Sequence, residues 1–163
     1  MGRLWKFEGT IDTDVLAPGL YMKSPLSELA EHCLEAVRPE FAASVKAGDI
    51  VLAGEDMGAG SSREQAAEVL KYLGIEAVIA KSFAGIFYRN AINLGLPVFV
   101  LPSCLAGIPQ LKDGAKVSVD FDGAKLKLTD FDRDINLEPL PNFLRDLVAD
   151  GGLVPHLAKR FAM

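Results

Sequence analysis

The amino-acid sequence predicts an α/β fold, a swivelling β/β/α domain with a parallel α/β core and an antiparallel hairpin layer. Apolar runs at 50–53, 75–80 and 97–101 alternate with helical patterns at 63–73 and 84–94. This order is typical of repeated β–α units. The two later runs are largely apolar rather than alternating, as expected for strands buried on both faces of a parallel sheet.

The elements before the core are shorter. Residues 4–7 are predicted to form a strand near the start of the chain. Residues 27–37 show a helical pattern with apolar residues along one side. Both central helices end in Leu-Gly, at Leu73-Gly74 and Leu94-Gly95, where glycine can adopt the left-handed conformation that closes a helix.

The elements after the core predict a hairpin and a final helix. Segments 116–121 and 124–129 alternate apolar and polar residues around Asp122-Gly123, a dipeptide that favours a type I′ turn. A last short helix is predicted at 141–149, ending at Gly151-Gly152. Because no low-complexity linker divides the chain, we interpret residues 1–163 as a single domain.

The composition limits the classes of function. The chain has 163 residues, of which 50% are hydrophobic and 24% charged, and a net charge of −5. This acidic balance, without a basic stripe, argues against nucleic acid as a partner. We expect no membrane partner and a cytoplasmic location, because the sequence has neither a signal-peptide pattern nor an apolar run of membrane-spanning length.

The cysteines and histidines do not predict a metal site. Cys33 and Cys104 lie far apart and form no CxxC pair, and two thiols are too few for an iron–sulfur cluster. His32 and His156 also lack the spacing of metal ligands. We therefore expect this chain to bind neither a metal nor a cofactor.

The most informative motif is Gly58-Ala-Gly-Ser-Ser-Arg-Glu-Gln65, which lies between a predicted strand and a predicted helix. Its glycines allow a tight turn and the close approach of a ligand. The first turn of a helix attracts anions through its free N–H groups and its dipole. Arg63 adds a planar group of donors that can bind a carboxylate in bidentate fashion. The motif predicts a carboxylate site beside a serine.

Structural and nucleotide-binding alternatives also fit parts of this segment. Ser61 and Glu64 have the spacing of a capping box, in which the serine only caps the helix. A Walker phosphate loop is disfavoured because no Gly-Lys-Ser/Thr follows, and the dinucleotide fingerprint lacks its third glycine. A non-catalytic anion-binding or assembly module remains an alternative of a different functional class.

Four motifs in order carry a family resemblance over essentially the whole chain. They are residues 9–21, beginning Gly-Thr-Ile-Asp-Thr-Asp, residues 58–64, Ala80-Lys-Ser-Phe-Ala84 and Phe87-Tyr-Arg-Asn-Ala-Ile-Asn93. Together they resemble the small subunit of 3-isopropylmalate dehydratase, which is similar to the swivelling C-terminal domain of aconitase. Four ordered motifs are much more specific than any one of them.

The resemblance implies a swivelling domain that closes over an active site shared with a separate large dehydratase subunit. That partner is expected to hold a [4Fe–4S] cluster acting as a Lewis acid, so that the subunit is active as a hydro-lyase only in the complex. The implied reaction interconverts 2-isopropylmalate and 3-isopropylmalate, in leucine biosynthesis, by dehydration and rehydration. In the absence of the large subunit, this chain could form a homodimer.

The resemblance also implies site residues. Ser61 matches the serine base that removes a proton next to a substrate carboxylate, and Asp14 matches a second catalytic residue. Arg63 matches the carboxylate-binding arginine, and Ser62 matches a hydrogen-bond donor to the substrate. The loop with Tyr21, Met22 and Lys23 corresponds to the part of the family that faces the variable group of the substrate.

The sequence departs from the family pattern at two positions and leaves the substrate open. Gln65 stands where the family usually has histidine, and Gly85 where it usually has arginine. Met22 suits an isopropyl group, whereas Lys23 suits an additional carboxylate unless it extends into solvent. The expected substrate is a small dicarboxylic or tricarboxylic acid. Isopropylmalate is preferred, and homoaconitate and 2,3-dimethylmalate are the alternatives.

Overall fold

Seven strands form one continuous sheet in the order β4-β3-β2-β1-β5-β6-β7 in the computed structural model, which describes residues 1–162. The strands are β1 (Gly2–Lys6), β2 (Ile50–Ala53), β3 (Ala77–Ala80), β4 (Val98–Val100), β5 (Lys116–Asp120), β6 (Lys125–Leu128) and β7 (Arg133–Asn136). Strands β1 to β4 are parallel. Strands β5 to β7 are antiparallel, and β5 pairs with β1.

The predicted fold class is confirmed, and the structure defines how its two parts join. Strand β3 is buried along its full length and β4 at its first two residues, as the largely apolar runs predicted, and β2 is fully buried as well. The antiparallel strands do not form a separate layer stacked on the core. They continue the same sheet through hydrogen bonds between β5 and β1, because β1 offers both of its edges for pairing.

Seven α-helices connect or flank these strands within residues 1–162. They are α1 (Thr13–Leu16), α2 (Leu26–Glu31), α3 (Phe41–Ser44), α4 (Gln65–Tyr72), α5 (Gly85–Asn93), α6 (Asn142–Ala149) and α7 (Leu153–Phe161). Short 3₁₀ helices cover Gly19–Tyr21, Ser103–Leu105 and Thr129–Phe131. The long central helices α4 and α5 link the parallel strands, as predicted.

The Leu-Gly ends of α4 and α5 are confirmed as left-handed closures. Gly74 has a φ of 86° and Gly95 a φ of 75°. The amide of Ile75 donates to the carbonyl of Leu70 at 3.1 Å, the long bond of a Schellman motif. These closures turn the chain directly from each helix into the next parallel strand.

A buried carboxylate anchors the central strand. Asp49 is 4% exposed and precedes β2. Its two oxygens accept the backbone N–H of Arg3 at 2.8 Å, the indole N–H of Trp5 at 2.8 Å and the backbone N–H of Lys46 at 3.0 Å. A buried charge is tolerated when donors surround it in this way. Asp49 therefore holds β1 against the start of β2.

The helix predicted at 27–37 is shorter in the structure. Helix α2 ends at Glu31, and turns follow it up to residue 37. The buried Leu34 has a left-handed φ of 61°, and its N–H donates to the carbonyl of Val15 at 2.9 Å. The prediction was wrong here because this tertiary contact overrides the local helical pattern.

The predicted hairpin is confirmed, but its turn type is not. Strands β5 and β6 pair in register from Val117 opposite Leu128 to Asp120 opposite Lys125. Ala124, not Gly123, has the left-handed φ, at 48°. The carboxylate of Asp120 accepts the N–H of Gly123 at 3.0 Å, which stabilises a four-residue loop instead of the two-residue type I′ turn.

The sequence prediction also missed the helix after Gly151-Gly152. These glycines have φ values of 94° and 119°, and a Cβ at Gly152 would lie 2.4 Å from the carbonyl oxygen of Asn93. The glycines end α6 and let the chain pass close to the end of α5 before α7 starts. Pro155 does not interrupt α7, because the first turn of a helix leaves its N–H groups unpaired.

Candidate functional site

Three loops meet at the carboxyl edge of the parallel strands, where ligands commonly bind in open α/β sheets. The loop after β1 joins the loop after β2 through a parallel bridge between Asp12 and Ala59. The loop after β2 joins the loop after β3 through a bridge between Met57 and Phe83. The motifs at 9–21, 58–64 and 80–84 therefore lie side by side, although they are far apart in the sequence.

Glycines 58 and 60 have the turning role that the sequence predicted. Gly58 has a φ of 82° and Gly60 a φ of 108°. A Cβ at Gly58 would lie 2.1 Å from the ring of Phe87, so a side chain there would displace α5. The amide of Gly58 donates to the carbonyl of Ile11 at 2.7 Å, which fixes the motif to the first loop.

Ser61 faces the first loop instead of capping α4. Its N–H donates to the hydroxyl oxygen of Thr13 at 3.1 Å, and its own hydroxyl oxygen lies 3.2 Å from the same atom. Helix α4 begins at Gln65 and has no side-chain capping bond from Glu64. The capping-box alternative is therefore not found, and Ser61 remains exposed at the edge of the sheet.

Arg63 and Asp14 form an ion pair across two of the loops. Nη1 of Arg63 donates to Oδ1 of Asp14 at 2.7 Å and to the carbonyl of Ala17 at 3.0 Å. The same Asp14 oxygen accepts the N–H of Gly19 at 3.1 Å. A Cβ at Gly19 would be in ordinary contact with Nη2 of Arg63, at 3.6 Å, and with Oδ1 of Asp14, at 3.4 Å. Both hydrogen bonds of the guanidinium are made by Nη1, which holds one edge of the group in place.

The ion pair keeps Asp14 ionised. The hydrogen bond from Arg63, followed by the bond from the Gly19 amide, holds the pKa of the Asp14 carboxyl below its ordinary value of 3.8. Such a group carries no proton to donate near neutral pH. A role in orienting Arg63 therefore fits Asp14 better than a role as a general acid.

Ser62 and Gln65 lie at the entrance to α4. Ser62 is exposed, and Gln65 is half-buried as the first residue of the helix. The first amides bonded at this end belong to Ala66 and Ala67, which donate to the carbonyls of Arg63 and Glu64. The amides of the residues before Ala66 precede the helical hydrogen-bond ladder, and such amides have no partner within the helix. The positive end of the α4 dipole lies at these amides and favours an anion.

Gly85 lies at the start of α5 and leaves the surface open. A Cβ at this position would have no other atom within 4 Å. The structure thus has room for a side chain where this sequence has none.

The loop proposed to face the substrate begins next to Arg63. Within it, Tyr21 and Met22 are half-buried and Lys23 is exposed. The ring of Tyr21 stacks on His32 with centroids 3.5 Å apart and planes at 2°. Nδ1 of His32 in turn lies 2.7 Å from a carboxylate oxygen of Glu35. The stack orients Tyr21. The sequence analysis did not predict this role for His32.

The site is open instead of enclosed. A cavity of about 200 Å³ lies near the same edge, and its lining includes Lys6, Gly54 and Lys81. Neither Ser61 nor Arg63 lines it. Ser61 is exposed and the Arg63 side chain is 26% exposed, so a second body would be needed to exclude water from them.

The described residues offer no metal centre. Within residues 1–162, no group of three or more His, Cys, Asp or Glu side chains is arranged to hold a metal ion. Cys33 is buried, and burial raises the pKa of its thiol, whereas Cys104 is exposed in a different part of the fold. None of the helices in this part of the chain has the length and apolar character needed to cross a membrane.

The residues gathered at this edge can bind a carboxylate and move a proton. Arg63 and the start of α4 supply positive charge, and Ser61 supplies a hydroxyl oxygen in the same segment.

The sequence analysis missed Thr13, because a threonine within an acidic turn carries no signal of its own. A polar side chain between the apolar Ile11 and Leu16 is only weak evidence of a functional role. Its contact with Ser61 becomes visible only in the structure.

A family model of the aconitase C-terminal domain matches residues 32–102. The 3-isopropylmalate dehydratase small subunit of Syntrophus aciditrophicus is 43% identical over 160 residues, covering 98% of this chain and 96% of the relative. The methanogen homoaconitase small subunit of Methanothermobacter thermautotrophicus is 43% identical over 159 residues, covering 97% and 90%.

A solved structure has the same fold. The crystal structure of 3-isopropylmalate dehydratase from Methanocaldococcus jannaschii matches with a TM-score of 0.89 and 44% identity, covering 99% of this chain and 94% of that chain. The match confirms the fold class and the family resemblance drawn from the four motifs.

Removing the guanidinium of Arg63 should raise the pKa of Asp14. In the wild-type chain we expect this pKa to lie below 3.8, and in Arg63→Gln we expect it to return toward that value. Because the folded-state pKa is depressed, the pair stabilises the fold above pH 3.8 and loses this contribution as the pH falls through the lowered pKa. Carbon-13 NMR titration of the carboxyl measures the change.

The matched control is Arg89→Gln, which removes an exposed guanidinium elsewhere. It should leave the pKa of Asp14 unchanged. Equal Asp14 pKa values in the Arg63 and Arg89 variants would contradict the role of the ion pair.

Proposed function

This chain belongs to the family of dehydratase small subunits that share the aconitase C-terminal domain, and we propose that it works in a two-chain hydro-lyase that interconverts 2-isopropylmalate and 3-isopropylmalate. The observation that carries this proposal is that Ser61 and Arg63, both in the loop after β2, contact neighbouring residues of the loop after β1, Ser61 at Thr13 and Arg63 at Asp14. Near-complete coverage by a relative named for that enzyme supports it. We further propose that the whole chain acts as one swivelling domain.

Arg63 and Ser62 would bind the substrate. The free edge of the Arg63 guanidinium would bind a substrate carboxylate, since its planar donors match the spacing of two carboxylate oxygens. Ser62 would donate a hydrogen bond to the same substrate. Binding at this position would bring the carbon next to the carboxylate toward Ser61.

Ser61 would remove the proton from that carbon. A free serine hydroxyl is a weak base near neutral pH, so the reaction requires stabilisation of negative charge on its oxygen. Arg63, two residues further along the chain, and the start of α4 would supply positive potential. Asp14 would keep Arg63 oriented by holding Nη1, so that little reorganisation is needed when the substrate arrives.

A large subunit would complete the site. The open edge needs a second body to exclude water and to bind the hydroxyl that leaves. We propose that this partner holds the [4Fe–4S] cluster, which supplies Lewis-acid chemistry at the substrate hydroxyl. The described part of this chain has no ligand set that could hold such a cluster. The tasks left to this chain are carboxylate binding and proton transfer.

Homoaconitate is the second candidate substrate. The methanogen homoaconitase small subunit is as similar to this chain as the isopropylmalate relative, at 43% identity in both cases. Lys23 is exposed in the loop that would face the variable group, where an ammonium could bind an additional carboxylate. Met22 in the same loop suits the isopropyl group, which keeps isopropylmalate the first candidate.

Co-expression with a cluster-binding large subunit tests the function. We expect a complex that dehydrates isopropylmalate faster than it hydrates homoaconitate or dehydrates 2,3-dimethylmalate, measured by the change in absorbance of the unsaturated acid under anaerobic conditions. The small chain alone should be inactive. Turnover by the isolated chain, or a cluster-loaded complex that acts on none of the three acids, would contradict the proposal.

Substitutions at Ser61 and Arg63 should separate proton transfer from binding. Ser61→Ala should lower kcat by about 10²–10⁴-fold with little change in KM, because the base is lost. Arg63→Lys should raise KM about ten- to a hundredfold despite keeping the charge, because the bidentate geometry is lost.

Steady-state kinetics of the assembled complex measures both effects, and Ser44→Ala removes an exposed hydroxyl on α3 as a control. Wild-type turnover by the Ser61→Ala complex would show that the serine is not the base.

Replacing Lys23 tests the choice of substrate. If its ammonium binds an additional carboxylate, Lys23→Val should shift the ratio of kcat/KM values toward isopropylmalate by about ten- to a hundredfold. Lys127→Val, which removes an exposed lysine from β6, should leave the ratio unchanged. The same ratio in all three complexes would show that Lys23 points to solvent and does not select the substrate.

A further inference from the structure

Thr13 is buried at the candidate site without an evident structural need for its hydroxyl. In residues 1–162, Thr13 at 3% exposure and Asp49 at 4% are the buried residues with polar or charged side chains. Asp49 is accounted for by the three N–H groups that it accepts. The hydroxyl of Thr13 makes hydrogen bonds to the exposed Ser61, at its hydroxyl oxygen and its N–H, and to no other side chain in the described part of the chain.

The hydrogen-bond inventory assigns the direction of the contact. A threonine hydroxyl has one proton and two lone pairs. The N–H of Ser61 donates to the Thr13 oxygen at 3.1 Å and so occupies one lone pair. The Thr13 proton is buried and needs an acceptor, which the Ser61 oxygen provides at 3.2 Å. Ser61 is exposed, so its own proton can point to solvent or to a substrate.

The backbone around this contact is closely fitted. The N–H of Thr13 donates to the carbonyl of Ala59 at 2.8 Å, which ties the two loops together. Gly60 has a φ of 108°, and a Cβ there would approach the Thr13 hydroxyl oxygen to 3.1 Å. The absence of a side chain at Gly60 thus leaves the space in which the two hydroxyls meet.

We propose that Thr13 is a positioning residue for proton transfer, whose hydroxyl donates to the Ser61 oxygen and stabilises negative charge on it. Thr13 holds Ser61 at two atoms, the amide nitrogen and the hydroxyl oxygen, and so fixes the direction of the base. This inference rests on the proposed function, because it assigns Thr13 to the same reaction.

Ser61 and the substrate lose their protons in separate steps. The O–H bond of Ser61 first breaks and its proton passes to solvent, leaving a charge that accepts the hydrogen bond from Thr13. The substrate C–H bond then breaks while a new O–H bond forms on Ser61. The C–H electron pair forms the carbon–carbon double bond as hydroxide leaves the adjacent carbon. Ser61 thus ends protonated, as it began, and the proton released to solvent together with this hydroxide equals the water eliminated.

Two variants of Thr13 separate this role from a purely structural one. Thr13→Val keeps the shape and removes the hydroxyl, whereas Thr13→Ser keeps the hydroxyl. In the assembled complex, Thr13→Val should lower kcat about ten- to a hundredfold, the value of a hydrogen bond to a charged group. The rise of kcat with pH should move to higher pH, since the charged serine is less stable. Thr13→Ser should restore both, and Thr129→Val serves as an exposed control.

A Thr13 hydroxyl that only clamps the loops would give a different result. Thr13→Val would then lower the melting temperature but leave the kcat of the assembled complex and its pH profile as in wild type. That outcome in an active complex overturns the inference and leaves the proposed function intact.

A second measurement does not depend on activity. In NMR spectra of the full chain, the Thr13 hydroxyl proton should exchange slowly with solvent and show a nuclear Overhauser effect to the Cβ protons of Ser61. Ser61→Ala should speed its exchange. This signal together with an inactive complex would refute the proposed function but not the hydrogen bond. A hydroxyl proton that exchanges equally fast in wild type and Ser61→Ala would overturn the assignment of Thr13 as the donor.

Discussion

The buried carboxylate of Asp49 is the constraint on which both halves of the molecule depend. It holds the Trp5 indole and the Arg3 amide, and thereby fixes β1, the strand shared by the parallel and antiparallel parts of the sheet. A charge buried in this way is stable only while its donors stay in place, so the position of β1 is coupled to the start of β2. The loops that leave these two strands carry Thr13 and Ser61. The geometry of the candidate site therefore follows from how the middle of the sheet is assembled.

The sequence predicts those features that depend on short-range physics. The parallel strands, the Leu-Gly helix ends and the turning role of Gly58 follow from apolar runs and from backbone freedom, and the structure confirms them. The left-handed Leu34 could not be predicted, because its conformation depends on a bond to Val15. The same reason applies to the candidate site. The sequence and its family resemblance select Ser61 and Arg63, whereas the neighbours of these residues come from segments almost 50 residues away.

The ion pair between Asp14 and Arg63 combines two opposing requirements. A guanidinium that is to bind a carboxylate must be oriented in advance, yet its charge must remain available to the ligand. The structure meets both through geometry, since Asp14 and Ala17 use only Nη1. The lowered pKa of Asp14 keeps this arrangement charged over the whole neutral range. Preorganisation of this kind reduces the rearrangement required during a reaction.

The stack between Tyr21 and His32 links the loop at 20–24 to the end of α2. A loop transplanted alone from a relative would replace Tyr21 but would still lie against His32, whose ring is positioned to stack on Tyr21. A transplanted segment that extended through His32 and Glu35 would carry its own support. Under the proposal that this loop faces the variable group of the substrate, the exchangeable unit for redirecting this protein to a new acid is therefore the loop together with the following helix.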